Sequence, residues 1–165
     1  MGSKLRIAGI FEESIVDGPG IRFVIYTQGC THNCPNCHNP ETHDPLKGEL
    51  VDIKKLFAQI KENPLLKGVT FSGGEPFLQA DVLYELGLLI KDIGLDLWVF
   101  TGFLYEDLLN LNIDARNLLS ITDVLVDGPF IEAEKDLSLK FRGSKNQRIL
   151  KLSFYNNELQ VESYP

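Results

Sequence analysis

GVTFSGGEPFLQADVLYELGLLIKDIGLDLWVFT, residues 68–101, spells a short apolar strand, a Gly-Gly-Glu-Pro turn, a helix and a second strand. Val82, Leu83, Leu86, Leu89, Ile90 and Ile93 recur at helical spacing, and Gly94 marks the stop. Leu95–Thr101 then reads as a strand rich in β-branched and aromatic residues. Working outward, Arg22–Gln28 and Asp123–Asp127 read as further strands, and Asp52 as the cap of a helix carrying Ile53, Leu56, Phe57 and Ile60. Tyr155-Asn156-Asn157-Glu158 has the composition of a hairpin turn. Strands alternating with helices predict an α/β fold with a mostly parallel sheet and right-handed crossovers. About four βα units are too few to close an eight-fold barrel, so the expectation is an open, partial (β/α) barrel formed by residues 1–165 as a single domain.

Such sheets gather their chemistry in the loops after the strands. Four polar or glycine-rich segments occupy those positions here: Cys30, Gly73-Gly74-Glu75, Thr101-Gly102 and Asp127-Gly128. The pattern predicts that they converge on one face.

Composition excludes several classes. The formal charge of −7 argues against a nucleic-acid partner. No run approaches the ~18 apolar residues that a membrane span needs. Met1-Gly2-Ser3-Lys4 is followed by no apolar signal core, so a cytoplasmic protein is expected. Between Lys135 and Lys151 the balance reverses, with six basic side chains and one acid, which suits either a solvated face or a docking site for an acidic partner.

The three cysteines all fall in Cys30-Thr-His-Asn-Cys34-Pro-Asn-Cys37. An odd number in a cytosolic setting speaks for ligands over disulfides. A structural zinc site needs a fourth ligand, which His32, His38 or His43 could supply, but a distant second ligand pair is missing. Cys34-Pro-Asn-Cys37-His38 formally spells a haem attachment motif, yet leaves Cys30 unused. An apolar core role ill suits the polar neighbours. The remaining reading is an iron–sulfur cluster on three thiolates with one iron open, which spacing alone favours modestly over zinc.

Cys30-x3-Cys34-x2-Cys37-His38-Asn39, followed after the next strand by Gly73-Gly74-Glu75-Pro76, resembles the radical S-adenosylmethionine superfamily. Asp17-Gly18-Pro19-Gly20-Ile21-Arg22 is similar to its glycyl-radical-enzyme activases. Val126–Phe130 and Arg142–Arg148 resemble the branch of those activases that serves anaerobic ribonucleoside-triphosphate reductases. The resemblance implies a 4Fe–4S cluster on Cys30, Cys34 and Cys37, with S-adenosylmethionine chelating the open iron. It implies that Gly73, Gly74 and Glu75 hold the methionyl amino group and that Asn36, Cys37 and His38 lie along the adenine. Thr101 is a candidate contact to the adenosyl or carboxylate group, and Asp127 to the ribose or the glycyl backbone, though Asp127 equally suits a cap on the Gly128-Pro129 turn. Asn146 and Arg148 are candidates for ordering the ligand pocket, and Arg22 for pairing with a carboxylate. Asn36 stands where the family often has an aromatic residue, and His43 where related activases often have tryptophan. The implied partners are the large subunit of an anaerobic ribonucleotide reductase and a low-potential electron donor such as flavodoxin or ferredoxin. Activation of a different glycyl-radical enzyme, a small radical S-adenosylmethionine synthase acting on a purine-like substrate, and a zinc-bound interaction module are the competing readings. The Asp17–Arg22 motif argues against the synthase.

Overall fold

A computed structural model describes residues 3–37 and 39–164. Its strands are β1 (Lys4–Ser14), β2 (Arg22–Thr27), β3 (Glu49–Asp52), β4 (Gly68–Gly73), β5 (Asp96–Phe100), β6 (Val124–Asp127), β7 (Arg148–Tyr155) and β8 (Glu158–Ser163). The helices are α1 (Ile53–Glu62), α2 (Ala80–Asp92), α3 (Tyr105–Leu108) and α4 (Ile113–Ile121). All eight strands form one sheet in the order β3-β1-β2-β4-β5-β6-β7-β8.

The expectation of mostly parallel strands is corrected. Only β2–β4, β4–β5 and β5–β6 pair in parallel, whereas β1–β2, β1–β3, β6–β7 and β7–β8 are antiparallel. The parallel centre comes from the βα repeats. On the flanks, β1–β2 and β7–β8 are joined by short connections that suit antiparallel neighbours, whereas β3 and β7 return after longer segments to lie beside β1 and β6. At one flank Asn156 and Asn157 both take positive φ, 51° and 61°, and close the β7–β8 hairpin where the sequence placed it.

Strands β2, β4, β5 and β6 are laid down in one direction across the sheet, so right-handed crossovers put the intervening helices on one face. That face holds the main core: Phe23, Ile25, Val69, Phe71, Leu97, Val99 and Leu125 from the strands meet Leu56, Ile60, Leu83, Leu86, Ile90 and Leu118 from the helices. Asp52 caps α1 as expected, its Oδ1 accepting from the Lys54 N–H at 2.8 Å. The opposite face carries a smaller cluster of Trp98, Val124 and Val126, flanked by Phe100, Phe141 and Ile149.

The buried Arg22 side chain lies on this second face. Its Nε donates to Thr70 Oγ1 at 2.8 Å, Nη1 to the Pro19 carbonyl at 3.0 Å, and Nη2 to the Val69 carbonyl at 3.0 Å and to Asp96. The guanidinium also stands 5.6 Å from the Trp98 ring centroid. Arg22 therefore does pair with a carboxylate, as one of the two sequence readings had it.

Candidate functional site

The parallel strands β2, β4, β5 and β6 end at the same edge, and the segments that leave them line one pocket. Cys30, Cys34 and Cys37 face Gly73 and Gly74, Thr101 and Gly102, and Gly128 across a cavity of about 120 Å³. His32, His43, Phe130 and Gln147 complete much of the wall. Cys37, Ser72, Phe100, Phe130 and Gln147 also border a second cleft of about 330 Å³, which Asp17, Leu139 and Arg142 help to line.

The Gly73–Gly74 turn owes its glycines to the protein's own backbone. Gly73 has φ +93°, and a Cβ there would stand 2.5 Å from the Thr27 nitrogen. A Cβ on Gly74 would come within 2.4 Å of the Gly29 carbonyl oxygen. The close approach permits a ladder of hydrogen bonds: the Gly74 N–H donates to the Thr27 carbonyl and the Glu75 N–H to the Gly29 carbonyl, each at 2.8 Å. The start of the cysteine loop is thus fastened to the end of β4.

Glu75 is fully buried and does not line the pocket. Thr101 Oγ1 donates to its two oxygens at 2.8 and 2.9 Å, the Gly102 N–H to Oε1 at 2.8 Å, and the Phe77 N–H to Oε2 at 3.0 Å. His32 Nε2 stands 2.6 Å from Oε1. The Gly102 and Phe77 N–H groups and the Thr101 hydroxyl surround the carboxyl oxygens, and in the tautomer that carries its proton on Nε2 His32 donates to Oε1. Thr101 lies in the pocket wall with its hydroxyl directed at Glu75.

Asp127 is also fully buried and turned away from the pocket. Its oxygens accept from Arg148 Nε at 3.0 Å, from Arg148 Nη2, and from the Tyr105 N–H at 2.8 Å. It caps the start of α3 rather than its own Gly128-Pro129 turn. Arg148 continues outward to Glu106, with bonds of 3.0 and 2.8 Å.

Asn36 points outward to Glu132. Asn146 donates to the Pro129 carbonyl at 2.7 Å. His38 lies outside the described residues. Gln147, part of the Arg142–Arg148 motif but given no role from sequence, accepts from the Gly143 N–H at 2.8 Å and donates to the Gly128 carbonyl at 3.1 Å, bracing the loop that forms one wall. Its place directly after Asn146 in a polar run was the available signal.

The cysteines are free and half-buried. Burial pushes the Cys30 thiol up, the main-chain N–H of His32 opposes that rise through its hydrogen bond to the sulfur, and Glu75 and the other two cysteines add to it. Among the described residues no three His, Cys, Asp or Glu side chains converge on a point that one metal ion could occupy. An iron–sulfur cluster needs no such point, because each thiolate takes its own iron, and three thiols around one pocket fit that donor set.

Residues 16–150 match the family model described as a 4Fe-4S single cluster domain. The chain is 32% identical over 154 residues to the anaerobic ribonucleoside-triphosphate reductase-activating protein of Salmonella typhi, covering 87% of this chain and 96% of that protein. Its likeness to the protein of the same name from Enterobacteria phage T4 is 32% over 150 residues, covering 85% and 90%. Among solved structures, QueE from Escherichia coli superposes with a TM-score of 0.49 at 22% identity, over 60% of this chain and 53% of that one.

Proposed function

The chain belongs to the family of anaerobic ribonucleoside-triphosphate reductase-activating proteins, and on that premise we propose that it cleaves S-adenosylmethionine reductively to place a glycyl radical on an anaerobic ribonucleotide reductase. Cys30, Cys34 and Cys37 hold a 4Fe–4S cluster. When bound, the cluster supplies one electron, which breaks the sulfonium C–S bond and gives methionine and the 5′-deoxyadenosyl radical. That radical takes a hydrogen atom from a glycine Cα of the reductase and leaves as 5′-deoxyadenosine. A low-potential donor such as flavodoxin or ferredoxin supplies the electron in the cytoplasm.

One observation carries this reading: the three thiols share a single pocket with the ends of three parallel strands. The remaining tasks of the protein are placement and exclusion of water. The Gly73–Gly74 turn presents main chain to the cofactor's methionyl end, and the Thr101–Gly102 segment forms the wall beside it. The 330 Å³ cleft beyond Cys37 gives room for the rest of the cofactor. We read the sheet, with helices on one face and the site at the carboxyl ends of its parallel strands, as an opened (β/α) barrel. A protein loop suits such a mouth, since it brings its own surface to seal the radical, and an extended glycine enters where a side chain would clash.

The test begins with anaerobic reconstitution, which turns the protein brown with absorbance near ~400 nm if the cluster forms. Reduction with S-adenosylmethionine then yields 5′-deoxyadenosine. Adding the reductase without oxygen gives a glycyl-radical doublet in the electron paramagnetic resonance spectrum. Cleavage with no doublet would keep the chemistry and move the partner to another glycyl-radical enzyme.

A further inference from the structure

Between Cys30 and Cys37 the chain makes few bonds to the rest of the protein. Among the described residues, two side chains in that stretch reach other elements through hydrogen bonds: Asn36, which is exposed, to Glu132, and His32 to Glu75. The second contact is of a different kind. Glu75 is fully buried and also holds the ends of β4 and β5 through Phe77, Thr101 and Gly102. His32 is therefore the point where the cysteine loop joins a hub shared by two strand ends.

The surroundings of His32 are built to its shape. Its ring packs edge-on to Phe103 at 4.6 Å between centroids. A Cβ on Gly102 would stand 2.6 Å from the ring, so glycine at that position leaves the space the imidazole fills. Cys30 stands two residues before it, so fixing the His32 side chain restrains the main chain that carries a ligand thiol. Groups that hold ligands in place help a metal site to retain its metal.

We propose that His32 is a positioning residue: held by Glu75, it orients the cysteine loop over the Gly73–Gly74 turn. Glu75 takes part through these bonds and not by contact with S-adenosylmethionine. This inference rests on the cluster reading above and adds to it a second rank of residues behind the thiolates.

Two variants separate the bond from the bulk. His32→Leu keeps an apolar side chain against Phe103 and Gly102 but has no donor for Glu75. His32→Gln restores an N–H at similar reach. All three proteins are reconstituted without oxygen, challenged with an iron chelator, and compared by the electron paramagnetic resonance of the reduced cluster. The expected result is iron loss about 10–100-fold faster in His32→Leu with an altered cluster signal, and values near wild type in His32→Gln. If wild type loads and His32→Leu matches it in both readouts, the inference falls and the cluster reading stands. If His32→Gln fails as badly as His32→Leu, the hydrogen bond is not the cause, and the inference falls equally. A wild-type chain that takes up no iron overturns the cluster reading and this inference together.

Discussion

Arg22 and Asp96 meet at the amino ends of β2 and β5, at the opposite end of the parallel strands from the cysteine loop. The arginine is fully buried and Asp96 is partly open to solvent. Because Nη2 also bonds the Val69 carbonyl, one guanidinium joins three neighbouring strands.

Arg22→Ala should therefore act on stability before chemistry. It leaves Thr70 Oγ1 and two carbonyls without their donor and Asp96 without its cation, a loss on the order of 3–5 kcal/mol. For a chain of this size that lowers the melting temperature by roughly 10 °C. Arg22→Lys should recover only part of it, since a single ammonium cannot serve all four acceptors. Thermal denaturation of the cluster-free protein measures both.

The cysteines predict the opposite pattern. Cys30→Ala, Cys34→Ala and Cys37→Ala each remove a half-buried thiol from a pocket wall, so the helical circular dichroism should survive. Absorbance near ~400 nm after reconstitution and the yield of 5′-deoxyadenosine should both collapse. A single variant with normal turnover would refute the three-thiolate ligand set.

Gly74→Ala joins fold to site. Its Cβ would press on the Gly29 carbonyl at 2.4 Å and the Thr42 carbonyl at 3.0 Å, and neither is a flexible side-chain end. The cysteine loop must move off β4, at about 1–3 kcal/mol in stability and a several-fold fall in iron uptake. Gly9→Ala, where a Cβ meets nothing within 4 Å, is the matched control and should leave iron uptake unchanged.

These glycines illustrate what the sequence made legible. Gly73-Gly74-Glu75 stood out after a strand, yet its packing partners could not be read, because Thr27 and Gly29 lie more than forty residues away in the chain. The parallel centre was legible because each βα unit repeats a local pattern. β1 was missed although Leu5 and Ile7 alternate with Lys4 and Arg6, since four residues of alternation do not name a partner strand. β3 has only four residues, and its last, Asp52, also caps α1. Asp127 was legible as a polar strand end, but its cap on Tyr105 and its bond to Arg148 depend on how the connection before it and the one after it return.

Glu106 gives a pH-dependent prediction. Its hydrogen bonds to Arg148 hold its carboxyl below the usual glutamate range. A folded-state pKa below the unfolded one contributes stability above the unfolded value and loses it as pH falls through the folded value. Glu106 is well exposed, so the contribution is under about 1 kcal/mol. Glu106→Gln should lower the urea midpoint slightly at pH ~7, and wild type and variant should converge as pH falls through the folded value, where both side chains become neutral. A difference that persists in acid would assign the effect to packing.

The basic run from Lys135 to Lys151 is the last feature with an expected consequence, and the structure narrows it. Arg148 is engaged by Asp127 and Glu106, and Lys151 lies 3.9 Å from Glu162. Arg142 turns inward to the Lys145 and Gln147 carbonyls at 3.2 and 2.7 Å. Lys135, Lys140 and Lys145 remain exposed, and among the described residues none of them forms a salt bridge. They border the segment that supplies Leu139, Arg142 and Gly143 to the second cleft. Exposed charges of this kind act within a Debye length of ~8–10 Å and steer encounter more than they add affinity. Reversing Lys140 and Lys145 to Glu should slow association with an acidic partner by several-fold at low salt and flatten the salt dependence of the rate. The spontaneous cleavage of S-adenosylmethionine under chemical reduction should stay at the wild-type level, because neither lysine reaches the pocket. Stopped-flow association with reduced flavodoxin, and with the reductase, at two ionic strengths would read both effects. Rates that do not change at either ionic strength would make this run an ordinary solvated face.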